Sequence, residues 1–221
     1  MMPFSTEQFL QVFESYNQAV FPFQAVLVLM ALVMAVLACR PFPYSNKIVS
    51  VLLAFLWLWM GVAYHLLFFS SINPAAFLFA TLFILQGLLF FYEGVFRNRL
   101  SFHVERNPYG LVGLLFILYA LIVYPILGYA HGETYPSMPT FGLPCPTTIF
   151  TFGILLWTNK RVSPLLLVIP FFWSLIGVFA AVTLGIEEDF ALPVAGIITI
   201  GMLLYRNSKI YHEGGERRKY E

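Results

Sequence analysis

Residues 48–70 read IVSVLLAFLWLWMGVAYHLLFFS, twenty-three positions at which only His65 could be charged near neutral pH. At 1.5 Å per residue a helix of this length rises about 34 Å, enough to cross a hydrocarbon core about 30 Å thick. Lys47 stands before the run and Asn73-Pro74 follow it, so its ends are polar and its middle is not. The rest of the chain is of the same kind. Of 221 residues 60% are hydrophobic and 10% charged, with mean hydropathy +0.81, whereas a soluble domain carries about 25% charged residues. No water-facing surface can be built from this mixture, so lipid must cover much of it. The 24 Phe and 12 Tyr suit lipid-facing and interfacial positions.

The same length rule predicts seven spans in an all-α, polytopic membrane protein. They run over 20–39, 48–70, 75–96, 109–130, 144–158, 162–186 and 190–205, the fifth being the shortest in its apolar core. Residues 1–19 have no basic segment or small-residue cleavage pattern of a signal peptide. Ser5 with Gln8 three residues on forms a capping box, and Phe9, Phe13, Tyr16 and Val20 recur at helical spacing beside Glu7 and Glu14. A short amphipathic helix at the membrane surface is expected there. Residues 20–205 then form the transmembrane domain and 206–221 a basic tail.

Charge gives the spans an orientation. Arg40 and Lys47 fall between spans one and two, Arg97, Arg99 and Arg106 between three and four, and Lys160 and Arg161 between five and six. Arg206, Lys209, Arg217, Arg218 and Lys219 follow span seven, completing the twelve basic residues, all on one side. The other side carries Glu7, Glu14, Glu133, Glu187, Glu188 and Asp189 and no Lys or Arg. Basic residues are held in the cytoplasm, which puts the N-terminus outside and the C-terminus inside. Cys39 and Cys145 then lie at opposite faces, about 30 Å apart, far beyond the ~7 Å reach of a disulfide. No span contains a lysine, which excludes a retinal Schiff base. No basic patch points to nucleic acid.

The count admits a three-plus-one-plus-three parallel repeat. Trp57-xxx-Gly61-Val62 in span two matches Trp173-xxx-Gly177-Val178 in span six, and Gly87-Leu88-Leu89-Phe90 in span three parallels Gly201-Met202-Leu203-Leu204 in span seven. That topology resembles the SWEET and PQ-loop transporters, but no Pro-Gln pair occurs and none of their functional residues carries over. The opening MPFSTEQFLQVFESYN, the central TFGLPCPTTIFTFG and the seven-span length resemble a family of small bacterial membrane proteins of unknown function, whose members are sometimes loosely labelled permeases. The resemblance implies a bacterial inner-membrane protein and assigns no activity.

Polar groups at membrane depth are costly, so each is a candidate site with a structural alternative. His65 falls in the outer third of span two, as a proton or ligand group in an outward-facing cavity or as part of the aromatic belt. Gln86, near the middle of span three, is a helix-to-helix hydrogen bond before it is a substrate contact. Glu93, one turn before Arg97, reads as an i,i+4 ion pair and otherwise as a proton carrier. Pro144-Cys145-Pro146 reads as a helix start, because proline's missing N–H is harmless in the first turn. The following Thr147, Thr148 and Thr151 could line a polar cavity beside Cys145. Glu187-Glu188-Asp189 reads as a solvated acidic turn, or as a cation-gathering vestibule. Arg217-Arg218-Lys219 would touch anionic headgroups, and His103 and His212 fall in cytoplasmic segments.

No cysteine or histidine spacing builds a metal site, and no cofactor is expected. The favoured function is a small-solute or ion transporter or channel with an outward-facing polar cavity. The alternative is a non-catalytic sensor or assembly subunit, and a homo-oligomer or partner subunit is compatible with either. A lipid hydrolase lacks its nucleophile and ligands, and a haem or quinone carrier would have to use His65 and His131. No enzyme activity is expected.

Overall fold

The computed structural model describes residues 3–217, with side chains to residue 210 apart from that of Ala180. Arg218 and Lys219, and the side chains of His212 and Arg217, lie outside the described residues. Helix α1 (Thr6–Val20) opens with the expected capping box: Gln8 N–H donates to Ser5 Oγ, and the Gln8 carboxamide accepts from Ser5 N–H. It bends by 85° into α2 (Phe23–Cys39). Helix α3 (Ser45–Trp59) continues as a π-helical segment, Met60–Leu66, and α4 (Ala76–Phe91) as another, Tyr92–Phe96. A third π-helical segment, Tyr119–Val123, joins α5 (Pro108–Leu118) to α6 (Tyr124–Ala130). Then follow α7 (Pro144–Leu156), α8 (Leu165–Leu184), a 3-10 turn Glu187–Phe190, and α9 (Ala191–Arg217). Among the described residues there is no strand.

The breaks follow the prolines and caps. Asn107 Oδ1 accepts from Gly110 N–H at 2.9 Å, and Pro108 starts α5 at the position where its missing N–H goes unused. The wide turn Tyr119–Val123 ends at Pro125, whose ring and absent donor disturb the preceding turn.

The connectors meet at two ends of the bundle. At one end, Val104 N–H donates to Ala38 O, Phe102 N–H to Asn46 Oδ1 and His103 N–H to Trp157 O, while Arg206 reaches the Thr158 carbonyl. The basic segments of three connectors and the basic stretch of α9 are thus gathered together. At the opposite end, Asn17 on α1 donates to Pro136 O and Met138 O, and His131 faces Glu187. The acidic segments sit there.

Among the described residues five helices are long and apolar enough to cross a membrane, six if bent α1 and α2 count as one span, so length does not establish the expected seven. Helix α7 falls short: its 13 residues rise about 20 Å against a core of about 30 Å. Its environment explains the shortness. It is buried from Pro146 to Leu156 and packs against α2, α5, α8 and α9, so protein covers the irregular backbone at its ends. Gly142 N–H donates to Thr147 Oγ1 at one end, and Trp157 N–H to Ile154 O at the other.

Backbone meets backbone where α5 crosses α7. A Cβ on Gly153 would lie 2.8 Å from Gly113 O, and one on Gly113 would lie 2.8 Å from Gly153 O. The expected repeat is not established, and the two glycine pairs that suggested it differ in their surroundings. Gly61 abuts α4 and Gly177 abuts Leu192 of α9, each the next helix in the chain. Gly87 is closed against Ala54 and Leu58, whereas Gly201 has nothing within 4 Å of a Cβ.

Candidate functional site

A cavity of about 310 Å³ lies at the acidic end. Phe4, just before α1, and Phe9 and Phe13 of α1 roof it, and Tyr64 with Phe69 closes one side. The start of α7 (Pro144 to Pro146) and Trp173, Ile176 and Phe179 of α8 close the other. The face of α1 that the sequence marks as apolar is the face that builds this roof, since Phe9, Phe13 and Tyr16 are buried. The aromatic rings pack edge to face, Phe9 on Phe69 at 5.7 Å between centroids and Tyr16 on Tyr64 at 5.7 Å.

The polar groups stand at the deep end. Asp189, 2% exposed, accepts a hydrogen bond from Tyr124 Oη at 2.5 Å, and the Cys145 thiol lies against the same carboxyl. All three line the cavity. The side chain comes inward because the chain reverses tightly. Gly185, at φ 75°, ends α8 in a left-handed turn, and Glu187–Phe190 then winds as a 3-10 turn. The turn directs Glu187 to solvent and Glu188 and Asp189 into the protein. The expected solvated acidic turn is therefore corrected: only the first of its three carboxylates is in water.

Glu188, 1% exposed, belongs to the rear of the site. A Cβ at Gly128 would lie 3.2 Å from both Glu133 Oε2 and Glu188 Oε1, so the two carboxyls converge there. His131 Nδ1 lies 3.8 Å from Glu188 and its Nε2 3.4 Å from Glu187. Burial, then the neighbouring Glu188, pushes the Glu133 carboxyl up to about 8. Among the described residues no three His, Cys, Asp or Glu side chains are grouped to hold a metal ion.

Cys145, Glu188 and Asp189 are thus brought together, with Glu187 at the rim. The other residues singled out in the sequence lie elsewhere. His65 is fully buried behind the cavity wall, 4.6 Å from the Phe83 ring and 5.3 Å from Trp173, with no hydrogen-bond partner for either nitrogen. It does not line the cavity; Tyr64 beside it does. The threonines do not line it either. Thr147 accepts from Gly142 N–H, Thr151 accepts from Trp57 Nε1 and donates to Thr147 O, and Thr148 is buried. A mostly apolar cavity, with polar groups at Asp189, Tyr124 and Cys145 and at Asn73, thus replaces the expected polar one.

Gln86 donates to the Leu166 carbonyl of α8 at 3.0 Å, linking two helices. Glu93 pairs with Arg99 at 3.6 Å and not with Arg97, whose guanidinium lies over the Tyr92 ring. The π-helical turn Tyr92–Phe96 is the cause, because its wider winding takes residues four apart off a common face. Tyr124 and Trp173 were not singled out as site residues. Tyr124-Pro125 inside an apolar span was the available signal.

No curated protein and no solved structure matches the chain. Residues 6–212 match a family described only as of unknown function, and the chain therefore belongs to that family, DUF6064.

Proposed function

We propose that this is an integral membrane protein that takes a small, largely apolar molecule from the outer leaflet into the cavity beneath α1, as the binding step of transport. The observation that carries the reading is the cavity itself: about 310 Å³, walled by aromatic and aliphatic side chains, with a hydrogen-bonded carboxyl at its deep end. Apolar pockets with a few convergent polar groups are the usual form of small-molecule sites. Two wall residues of α8 face outward as well, Phe179 at 60% and Ile176 at 38% exposed, beside the exposed Phe172 and Val182. The mouth thus adjoins the surface that lipid would cover. In this reading the chain crosses a bacterial inner membrane seven times. Helix α7, extended by Phe141–Leu143 and Trp157–Thr158, is the buried crossing, and the acidic end faces out, as the charge segregation requires.

The test is binding of 4-phenylbutan-1-ol to the purified protein in nanodiscs, read by thermal stabilisation. The wild type should be stabilised in a saturable way, and Ala75→Trp, which narrows the mouth, should not. Equal stabilisation of both would overturn the reading. Liposomes holding the protein should then accumulate the alcohol's charged or polar analogues faster than empty ones.

A further inference from the structure

The deep end of the cavity holds a carboxyl whose chemistry narrows what can bind. Asp189 has a neutral donor, Tyr124, and a neutral thiol, Cys145, beside it. The acidic end carries no Lys or Arg that could approach it. The titratable groups facing it from the surrounding elements are Tyr64, Tyr119, Tyr124 and Cys145, with Glu188 in its own turn and Glu133 behind. His131 and Glu187 stand further out against Glu188. An ionised carboxylate sealed among apolar walls is costly unless a cation or a proton joins it. With His131 engaged by Glu187 and Glu188, no side-chain cation among the described residues is positioned to do so.

Resting on the cavity reading above, we propose that the ligand is an apolar body bearing one primary ammonium group, and that it exchanges for the proton on Asp189. The empty cavity holds Asp189 as the neutral acid. When the ammonium enters, the Asp189 O–H bond breaks and its proton leaves to the outer water. An ammonium N–H then donates to the carboxylate. The cavity is electrically neutral before and after, and the aromatic walls around the polar end suit a cation as well as an apolar body. Cys145 and Tyr124 hold the carboxyl in place through both states.

The experiment uses the full chain in phosphatidylcholine nanodiscs and two probes of one shape, 4-phenylbutylamine and 4-phenylbutan-1-ol, followed by calorimetry in buffers of different ionisation enthalpy. The amine should bind on the order of tenfold more tightly than the alcohol, and Asp189→Asn should abolish that preference. At about pH 5.5 one proton should be released per amine bound, as linkage requires. In the wild type the amine should bind more weakly on acidification while the alcohol does not change, an arm that stands even where Asp189→Asn fails to fold. Equal binding of both probes to wild type and variant overturns the cation inference and leaves the cavity reading intact. Failure of both probes to bind overturns the cavity reading itself. Amine preference without proton release overturns the exchange. Adding phosphatidylethanolamine to the nanodiscs separates the sources of the ammonium: loss of amine binding identifies the lipid headgroup as the occupant, and unchanged binding identifies a free amine.

Discussion

Pro170 has no N–H, so the Leu166 carbonyl one turn earlier in α8 lacks its helical donor. Gln86 of α4 supplies one at 3.0 Å. The deepest carboxamide of the chain is therefore explained by a proline on another helix. Gln86→Leu should destabilise the protein by about 1–2 kcal/mol, since it strands a buried acceptor. In a Pro170→Ala background the loss should shrink, because the restored N–H takes the carbonyl. Unfolding of the four proteins of this double-mutant cycle in bicelles measures the coupling; additive effects would contradict the pairing. Glu133 supplies a second residue-scale prediction. Its folded carboxyl is raised to about 8 from an ordinary 4.5, so the folded state binds the proton more tightly than the unfolded one. Stability from this group is complete below about pH 4.5 and is lost as pH rises towards about 8. Thermal midpoints measured across that interval should fall with pH, and less steeply in Glu133→Gln.

Among the elements, α7 is the one whose neighbours decide its form. Its crossing with α5 has no room for a side chain at Gly113 or Gly153. Gly153→Ala should cost about 1–3 kcal/mol through overpacking against the Gly113 carbonyl. Gly201→Ala, on an open face of α9, should instead gain up to about 1 kcal/mol from helix propensity. Chemical unfolding of both variants tests the contrast, and equal effects would show that the crossing is not tight. At the other end of α7, Arg206 donates to the Thr158 carbonyl and, at 2.7 Å, to Thr158 Oγ1. A guanidinium at a helix C-terminus meets unpaired carbonyls and the negative end of the dipole. The residue read as the first of a tail is thus a cap on a buried helix.

For the whole molecule, the two ends differ in charge, and this difference predicts orientation. Thr134→Cys, on the exposed loop at the acidic end, should react with a membrane-impermeant maleimide in intact cells. The exposed Cys39 at the basic end should react only after the membrane is opened. Labelling of Cys39 in intact cells would reverse the arrangement. The bent α1 matters at this scale too, since its 85° turn from α2 lays its aromatic face over the cavity.

Local rules sufficed for the helices, the capping box of α1, the helix start at Pro144 and the division of charge between the ends. Each depends on near neighbours in the chain or on transfer of side chains into lipid, and both are written in residue order. The partners of Glu93 and Gln86, the burial of Glu188 and Asp189 and the meeting of Asp189 with Tyr124 and Cys145 could not be read that way. They are contacts between residues far apart in the chain, 65 positions for Tyr124 and Asp189 and 80 for Gln86 and Leu166, or they turn on a local change of helical winding that hydropathy does not register. Uniformly apolar helices carry almost no signal of which face meets protein and which meets lipid, so only packing decided where the cavity lies and what it holds.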